Sequence, residues 1–179
     1  MQTDNSVTVN VDNEGVIGWT SAQLLNALQA DTAIRTSVSN ARVITWDIGG
    51  NDMLDARDSY KAGTCGGADG QTCLRAAIVT FKTNWNAIVD QILALRSGPN
   101  VLVQTMDVYN PYVNTDRAAN SWPSDGGLND FQAFKPYIDE LNNFIRVSCA
   151  ARGIPFAKVY RAFNGPTGDI DAAFAQADV

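Results

Sequence analysis

Histidine is absent from the 179 residues of this chain, and that absence excludes more chemistry than any other feature of the composition. Histidine is the usual general base of hydrolases and the commonest protein ligand of transition metals. Any hydrolysis performed by these residues alone would therefore need another base. A glycine-rich loop that could cradle phosphate is also missing, because the Gly15–Gly18 spacing is too short. We expect no cofactor.

Positive charge is scarce as well. Thirteen Lys and Arg stand against nineteen Asp and Glu, which gives a formal net charge of -6 and a pI of about 4.4. Phosphate backbones require clustered Lys and Arg, so the acidic balance argues against nucleic acid as a partner. No apolar run approaches the roughly 20 residues that cross a bilayer, and we expect no membrane span. The hydrophobic fraction of 45% is ordinary for one domain with a core.

Cysteine is limited to three residues. Cys65 and Cys73 enclose a glycine-rich polar segment, 66–72, and a disulfide that closes such a loop is typical of an exported protein. The alternative is a pair of free thiols. Their spacing does not match a zinc knuckle, and there is no second pair. Cys149 falls in a predicted helix, where we expect it to be a small buried apolar residue.

Hydrophobic periodicity predicts strands that alternate with helices. The predicted elements are a strand over 7–11, a helix from about Thr20, a second helix from about Asp31, a strand over 42–48, a short helix over 53–60, a long amphipathic helix over 73–96, a strand over 101–106, a helix over 131–152, a strand over 155–160 and a weak helix within 161–179. This alternation predicts a single α/β domain over 1–179, with a mostly parallel sheet and helices on both faces.

The segment Asp47–Asp52 carries the clearest chemical signal. A strand leaves through two glycines into Asn51 and Asp52. Sites in open α/β sheets lie beyond the carboxyl ends of the strands, and an asparagine there can donate its amide to a developing oxyanion. The alternative is a structural turn, since Gly-Gly and Asn-Asp are common turn pairs.

A second segment, Asn13–Thr20, occupies an equivalent place. It follows the predicted strand over 7–11 and opens a helix. Gly18 could bring its backbone N–H to the same edge of the sheet as Asn51. Two such segments about thirty residues apart favour a functional interpretation over two unrelated turns.

These segments resemble the second and third sequence blocks of the SGNH/GDSL hydrolases. The resemblance implies a three-layer, flavodoxin-like fold and hydrolysis of carboxylic esters by a Ser-His-Asp triad. Gly18 then matches the backbone oxyanion donor and Asn51 the side-chain donor. The implied partner is a small-molecule ester, such as a lipid, an acyl ester or an acetylated sugar. The implied setting is a secreted or extracytoplasmic parent protein, although the polar Met1–Asn5 segment is not a signal peptide.

The departures from that family are equally specific. The family's Gly-Asp-Ser-Leu block precedes its second block, and no such sequence precedes Asn13. The family ends its triad with Asp-x-x-His, and this chain offers Asp178 without a histidine. Asp169 and Asp171 compete with Asp178 for that role. We therefore expect an incomplete domain that lacks its first strand, the nucleophile and the histidine, and that is inactive alone.

Other polar residues do not replace the missing groups. No motif pairs a base with the remaining candidate nucleophiles, which are Ser21, Ser59, Ser121 and Ser124. Four carboxylates lie close in sequence, but their spacing fits no calcium loop, and we expect no metal site. They are Asp47, Asp52, Asp55 and Asp58.

Several interpretations remain open at this point. The long loop over 110–127 would border the substrate pocket with Tyr109, Tyr112 and Trp122, or these rings simply pack the loop. In the family the first strand lies between the second and third, so its loss would leave unpaired backbone and a marginal or aggregation-prone protein. Besides an esterase ancestry, a non-catalytic binding module or an unrelated flavodoxin-like domain fits the pattern.

Overall fold

The computed structural model describes residues 8–96, 98 and 100–172. In these residues the chain forms a three-stranded parallel sheet and seven helices. The strands are β1 (Val43–Trp46), β2 (Leu102–Met106) and β3 (Phe156–Ala157). The helices are α1 (Ser21–Ala30), α2 (Thr32–Asn40), α3 (Gly50–Lys61), α4 (Thr72–Leu95), α5 (Val113–Arg117), α6 (Asp130–Arg152) and α7 (Val159–Asn164). The mixed α/β class and the parallel sheet predicted from sequence are confirmed.

The sheet has the order β1-β2-β3, with all pairs parallel. Ile44 pairs with Val103, and both side chains are buried on the face that the helices cover. Their strand neighbours Val43 and Leu102 point the other way and remain 58% and 46% exposed. Since side chains alternate along a strand, these two residues lie on the opposite face of β1 and β2 from Ile44 and Val103.

Helix α4 is the central packing element. Its Ile88 and Ile92 join a core cluster with α1, α2 and the first two strands. Its Phe81 and Trp85 belong to a second cluster, built with α3 and α6. The apolar positions recur at helical spacing over 24 residues, which is why one helix serves both clusters.

The predicted strand over 7–11 is wrong for the residues described. Residues 8–16 form neither helix nor strand, and Val9 and Val11 are 59% and 79% exposed. Alternating valines fit a pleated, half-buried surface, and they become a strand only where a neighbouring strand accepts them. Within the described part of the chain, β1 pairs on one side only, with β2.

Two predicted boundaries also change. The strand over 155–160 is limited to β3, because residues from Val159 onward turn into α7. The Asp107 carboxylate accepts the Tyr160 N–H at 2.7 Å and so favours the start of that helix. Helix α3 begins at Gly50 rather than at residue 53, so Asn51 lies in its first turn. No helix in the described ranges has the length and apolar character to cross a membrane.

Candidate active site

The carboxyl end of β1 turns into α3 through a glycine that the fold requires. Gly49 has φ 113°, a left-handed value that side chains rarely adopt. A Cβ at this position would lie 2.5 Å from the Phe81 ring. The turn therefore packs tightly on the core and fixes where the next residues, Gly50 and Asn51, begin the helix.

Asn51 lies against the segment that carries Gly18. Its Nδ2 donates to the backbone carbonyl of Trp19 at 2.9 Å. An asparagine amide has two hydrogens, and this bond uses one of them. Gly18 has φ 87° and is exposed, and its N–H has no acceptor among the described residues. The structure thus brings the two residues singled out in the sequence to the same edge of the sheet.

Three polar side chains hold this arrangement from beneath. Ser21, the first residue of α1, has no solvent exposure. Its N–H donates to Asp52 Oδ2 at 2.8 Å and its Oγ donates to Asp52 Oδ1 at 2.5 Å. Asn84 of α4 donates its amide to the same Oγ at 3.0 Å. Because Ser21 follows the Gly18 segment and Asp52 follows Asn51, these bonds couple the two segments to each other and to α4.

Sequence reasoning overlooked this support. In the sequence, Asp52 is one of several acidic residues and Ser21 is a serine without a recognisable base. Only Asn84 carries a signal, as a polar residue inside the apolar stripe of α4 around Phe81 and Trp85. Ser21 does have a carboxylate beside it, but its burial prevents a substrate carbonyl from reaching Oγ.

The acidic residues do not gather into a metal site. Asp52 is committed to Ser21, and Asp58 is an exposed partner of Arg57. Asp47 and Asp55 are exposed. Across residues 8–96, 98 and 100–172, no group of three or more potential metal ligands comes together.

The aromatic residues of the long loop make packing contacts. Tyr109 stacks on Phe163 with ring centroids 5.1 Å apart. Tyr112 lies under the Arg57 guanidinium, 4.1 Å from Cζ to the ring centroid. Trp122 covers the cysteine loop so closely that a Cβ at Gly70 would lie 2.7 Å from its ring. These contacts agree with the loop-packing alternative.

A buried ionic network ties the loop to the helices. The Arg57 guanidinium binds Asp116 through two hydrogen bonds, of 2.8 Å and 2.5 Å, and both side chains are almost completely buried. Lys61 lies 3.4 Å from Asp116 and 2.7 Å from Asp130. Ser121 donates both its N–H and its hydroxyl to Asp130.

Burial and hydrogen bonding act in opposite directions on these groups. Burial alone would raise the pKa of Asp130, but hydrogen bonds from Lys61 and Ser121 outweigh it and lower the pKa. Burial lowers the pKa of Arg57, and the hydrogen bond and charge of Asp116 reverse this and raise it. Both residues therefore remain charged in the folded protein around neutral pH.

Cys65 and Cys73 form a disulfide, with 2.05 Å between the sulfurs and 4.8 Å between the Cα atoms. It closes the loop on which Trp122 lies. Cys149 is a buried free thiol in α6, and burial raises its pKa to about 11. A thiol with that pKa is a poor nucleophile at neutral pH.

Two of the three candidates for the triad aspartate lie among the described residues. Asp178 lies outside the described residues. Asp169 is 3.7 Å from Arg117, and Asp171 accepts the Asn114 N–H at 3.0 Å. Both contacts are to α5.

Comparison with known proteins points in one direction. The model of the GDSL-like lipase/acylhydrolase family matches residues 2–178. A crystal structure of a lipase from a goat rumen metagenome is similar, with a TM-score of 0.58 and 18% sequence identity. That similarity covers 88% of this chain and 72% of the lipase, and at this identity it establishes the fold alone. The comparison with curated protein sequences gave no match.

Proposed function

Because the chain belongs to the GDSL-like lipase/acylhydrolase family, we propose that it provides the oxyanion-binding part of a carboxylic ester hydrolase. The observation that carries the proposal is the contact between Asn51 and the Gly18–Trp19 segment, with Asn51 Nδ2 2.9 Å from the Trp19 oxygen. This contact supports the proposal because it joins the half-buried Asn51 amide to the segment that carries the exposed Gly18 N–H.

In this role the two donors act on charge that develops during acyl transfer. A nucleophile that attacks the ester carbon leaves negative charge on the carbonyl oxygen. The Gly18 N–H and the second hydrogen of the Asn51 amide would donate to that oxygen. Removal of one such donor costs about 3 kcal/mol of transition-state stabilisation in well-studied hydrolases. The Asp52–Ser21 bonds would keep the two donors at a fixed separation.

We further propose that these 179 residues do not turn over an ester by themselves. They contain no histidine to activate a nucleophile. The serine closest to Asn51 in the network, Ser21, is fully buried and donates its hydroxyl to Asp52. Hydrolysis in this proposal needs a nucleophile and a base that the chain does not itself supply.

A second candidate is a non-catalytic module that binds an ester or a related ligand with the same fold. One observation favours it: the Asn51 amide already has a backbone acceptor, so the residue has a structural role without any reaction. The two candidates differ in what they predict for a tetrahedral anion, which only an oxyanion-binding site should prefer over the planar ester.

The compartment and the substrate are part of the proposal. A disulfide between Cys65 and Cys73 supports a parent protein that works outside the cytoplasm, where such bonds persist. The substrate class is a small ester, of a lipid, a simple acyl group or an acetylated sugar, and family membership supports it no further than the ester bond.

Hydrolysis of p-nitrophenyl acetate tests the proposed lack of turnover. The wild-type chain and Asn51→Ala should both release p-nitrophenol at the rate of buffer with an equal concentration of an unrelated acidic protein. Turnover above that background, lost in Asn51→Ala but kept in the surface variant Asp55→Asn, would show a complete catalytic machinery and overturn the proposal.

A further inference from the structure

A cleft of about 240 Å³ lies at the carboxyl ends of β2 and β3, between α6 and the start of α7. Asp107 and Phe156 form its strand side. Tyr160 and Arg161 border it from α7, and Arg146 from α6. The volume is below the 300 to 1,000 Å³ that is usual for drug-sized ligands, so only a small molecule would fit.

Three cationic side chains face this cleft. They are Arg146, Lys158 and Arg161. None of them forms an ion pair with a carboxylate in the described part of the chain. Arg146 has one hydrogen bond, to Asn143 Oδ1 at 2.7 Å. Three basic side chains outside any ion pair of the described residues therefore line one cleft together with two carboxylates, Asp107 and Asp139, in a protein with 13 basic and 19 acidic residues.

The two carboxylates of the cleft are engaged elsewhere. Asp107 is mostly buried and accepts the Tyr160 N–H at 2.7 Å at the start of α7. Burial raises its pKa, against the opposing effect of the α7 amides and of Lys158. Asp139 binds Lys135 at 2.5 Å and accepts the Tyr160 hydroxyl at 2.8 Å. Neither carboxylate lies within ion-pair distance of the three cations, although the charge of Lys158 acts on Asp107, and all three basic side chains are exposed.

We propose that this cleft binds a small oxyanion, a carboxylate or a phosphate, through Lys158, Arg161 and Arg146. Guanidinium groups bind both anions through paired N–H donors, and an ammonium adds a compact charge. Asp107 and Asp139 line the same cleft and would repel an anion. We therefore expect the ligand to bind on the side of the cleft where the basic side chains lie.

The proposed anion site is separate from the Gly18–Asn51 edge. Val108, the residue after Asp107, does not line the cleft and lies against the start of α3. Asn142 fixes the backbone of Val108 by two hydrogen bonds of 2.8 Å each, and the Val108 side chain lies 3.6 Å from where a Cβ on Gly50 would be. Neither Gly18, Asn51 nor Trp19, to which Asn51 donates, is among the residues that line the cleft.

Isothermal titration of the full chain with inorganic phosphate and, separately, with succinate tests the proposal. We expect saturable binding of at least one anion with a stoichiometry near one. Saturation by phosphate alone identifies a phosphate site, and saturation by succinate alone identifies a carboxylate site. The double variant Lys158→Gln/Arg161→Gln should weaken that binding roughly ten-fold or more, because two charge-assisted donors are lost.

Two controls and one further variant of the proposed site make the result decisive. Arg42→Gln removes an exposed cation that precedes β1, at the end of the sheet away from the cleft. This variant should leave anion binding unchanged. Asn51→Ala should also leave it unchanged, which distinguishes this site from the proposed oxyanion donors. Arg146→Gln tests the α6 contribution without altering α7. The absence of saturable binding by both anions, full binding by the double variant, or an equal loss in Arg42→Gln would overturn the proposal.

Discussion

Two regions of the molecule, the long loop over 110–127 and the Gly18 segment, differ in how they are held in place. On one side, the loop over 110–127 is attached to α3 by the buried Arg57–Asp116 ion pair and to α6 by hydrogen bonds from Ser121 to Asp130, and it covers a disulfide-closed loop through Trp122. On the other side, Gly18 is exposed. Its segment is held by one hydrogen bond from the Asn51 amide and by the contacts of Ser21. We call the loop region the braced side and the Gly18 region the open side. The braced side is fixed by its contacts, and the open side carries the groups that a ligand can reach.

This difference matters because stability and function need opposite surroundings. A buried ion pair stabilises a fold only when both partners are present and fully bonded. An oxyanion donor must keep an unused N–H that faces solvent until substrate arrives. Substitution of the donors on the open side should therefore change the free energy of unfolding little. Substitution of the ion-pair residues on the braced side should lower it strongly.

The largest effect is expected at Asp116. Asp116→Asn preserves the shape but leaves the buried Arg57 guanidinium without its charged partner, and we expect a loss of about 3 to 5 kcal/mol in the free energy of unfolding. Urea denaturation followed by circular dichroism measures it. Asp58→Asn removes the exposed partner of the same Arg57 and should cost less than about 0.5 kcal/mol. Equal losses in the two variants would contradict a dominant buried pair.

The disulfide should come next. Cys65→Ser/Cys73→Ser opens a loop with a sequence separation of 8, for which chain entropy gives a loss of about 2 to 3 kcal/mol. Urea denaturation with and without a reducing agent measures it. The reducing agent should destabilise the wild type by a similar amount and leave the double variant unaffected. If full reduction left the free energy of unfolding of the wild type unchanged, the ion pairs alone would be sufficient to hold the loop.

Asp130 gives the braced side its acid sensitivity. Its folded-state pKa is lowered, so its contribution is present above the unfolded-state pKa of about 3.9 and is lost as pH falls through the folded-state value. Asp130→Asn should be less stable than wild type by about 1 to 2 kcal/mol near neutral pH, and the difference should shrink toward low pH. Thermal unfolding across this range measures it, with the exposed Asp90→Asn as control. A constant difference at all pH values would contradict this account.

The smallest loss is expected on the open side. Asn51→Ala removes one partly buried hydrogen bond to the Trp19 carbonyl, worth about 0.5 to 1.5 kcal/mol. Urea denaturation under the same conditions as for Asp116→Asn allows direct comparison. A loss as large as that of Asp116→Asn would remove the distinction between the two sides.

The sequence predicts the fold where one segment contains enough information. The 3.6-residue periodicity of α4 and α6 and the apolar runs of β1 and β2 are local patterns, and all four elements form as predicted. The strand over 7–11 failed because alternation alone does not provide a neighbouring strand. The predicted length of β3 is wrong because α7 begins directly after it, and the cap for α7 comes from Asp107, more than fifty residues away in sequence.

The candidate site follows the same division. Gly18 and Asn51 stand out because glycine and asparagine at the ends of predicted elements have a local meaning. The Ser21–Asp52–Asn84 contacts and the Arg57–Asp116 pair join segments 31 to 63 residues apart, and no local pattern announces them. The packing partners of the loop aromatics are also distant in sequence for Tyr112 and Trp122, so the sequence left open whether these rings pack the loop or border a pocket.

Binding of a tetrahedral anion tests the central claim most directly. Dimethylphosphinate mimics the charge and shape of the intermediate in ester hydrolysis, and heteronuclear NMR follows the Gly18 N–H and the Asn51 side-chain amide separately. The account predicts that both signals shift and saturate together, and that Asn51→Ala abolishes the Gly18 response while the fold persists. Shifts confined to the Lys158–Arg161 cleft, or a Gly18 response that is unchanged in Asn51→Ala, would contradict it.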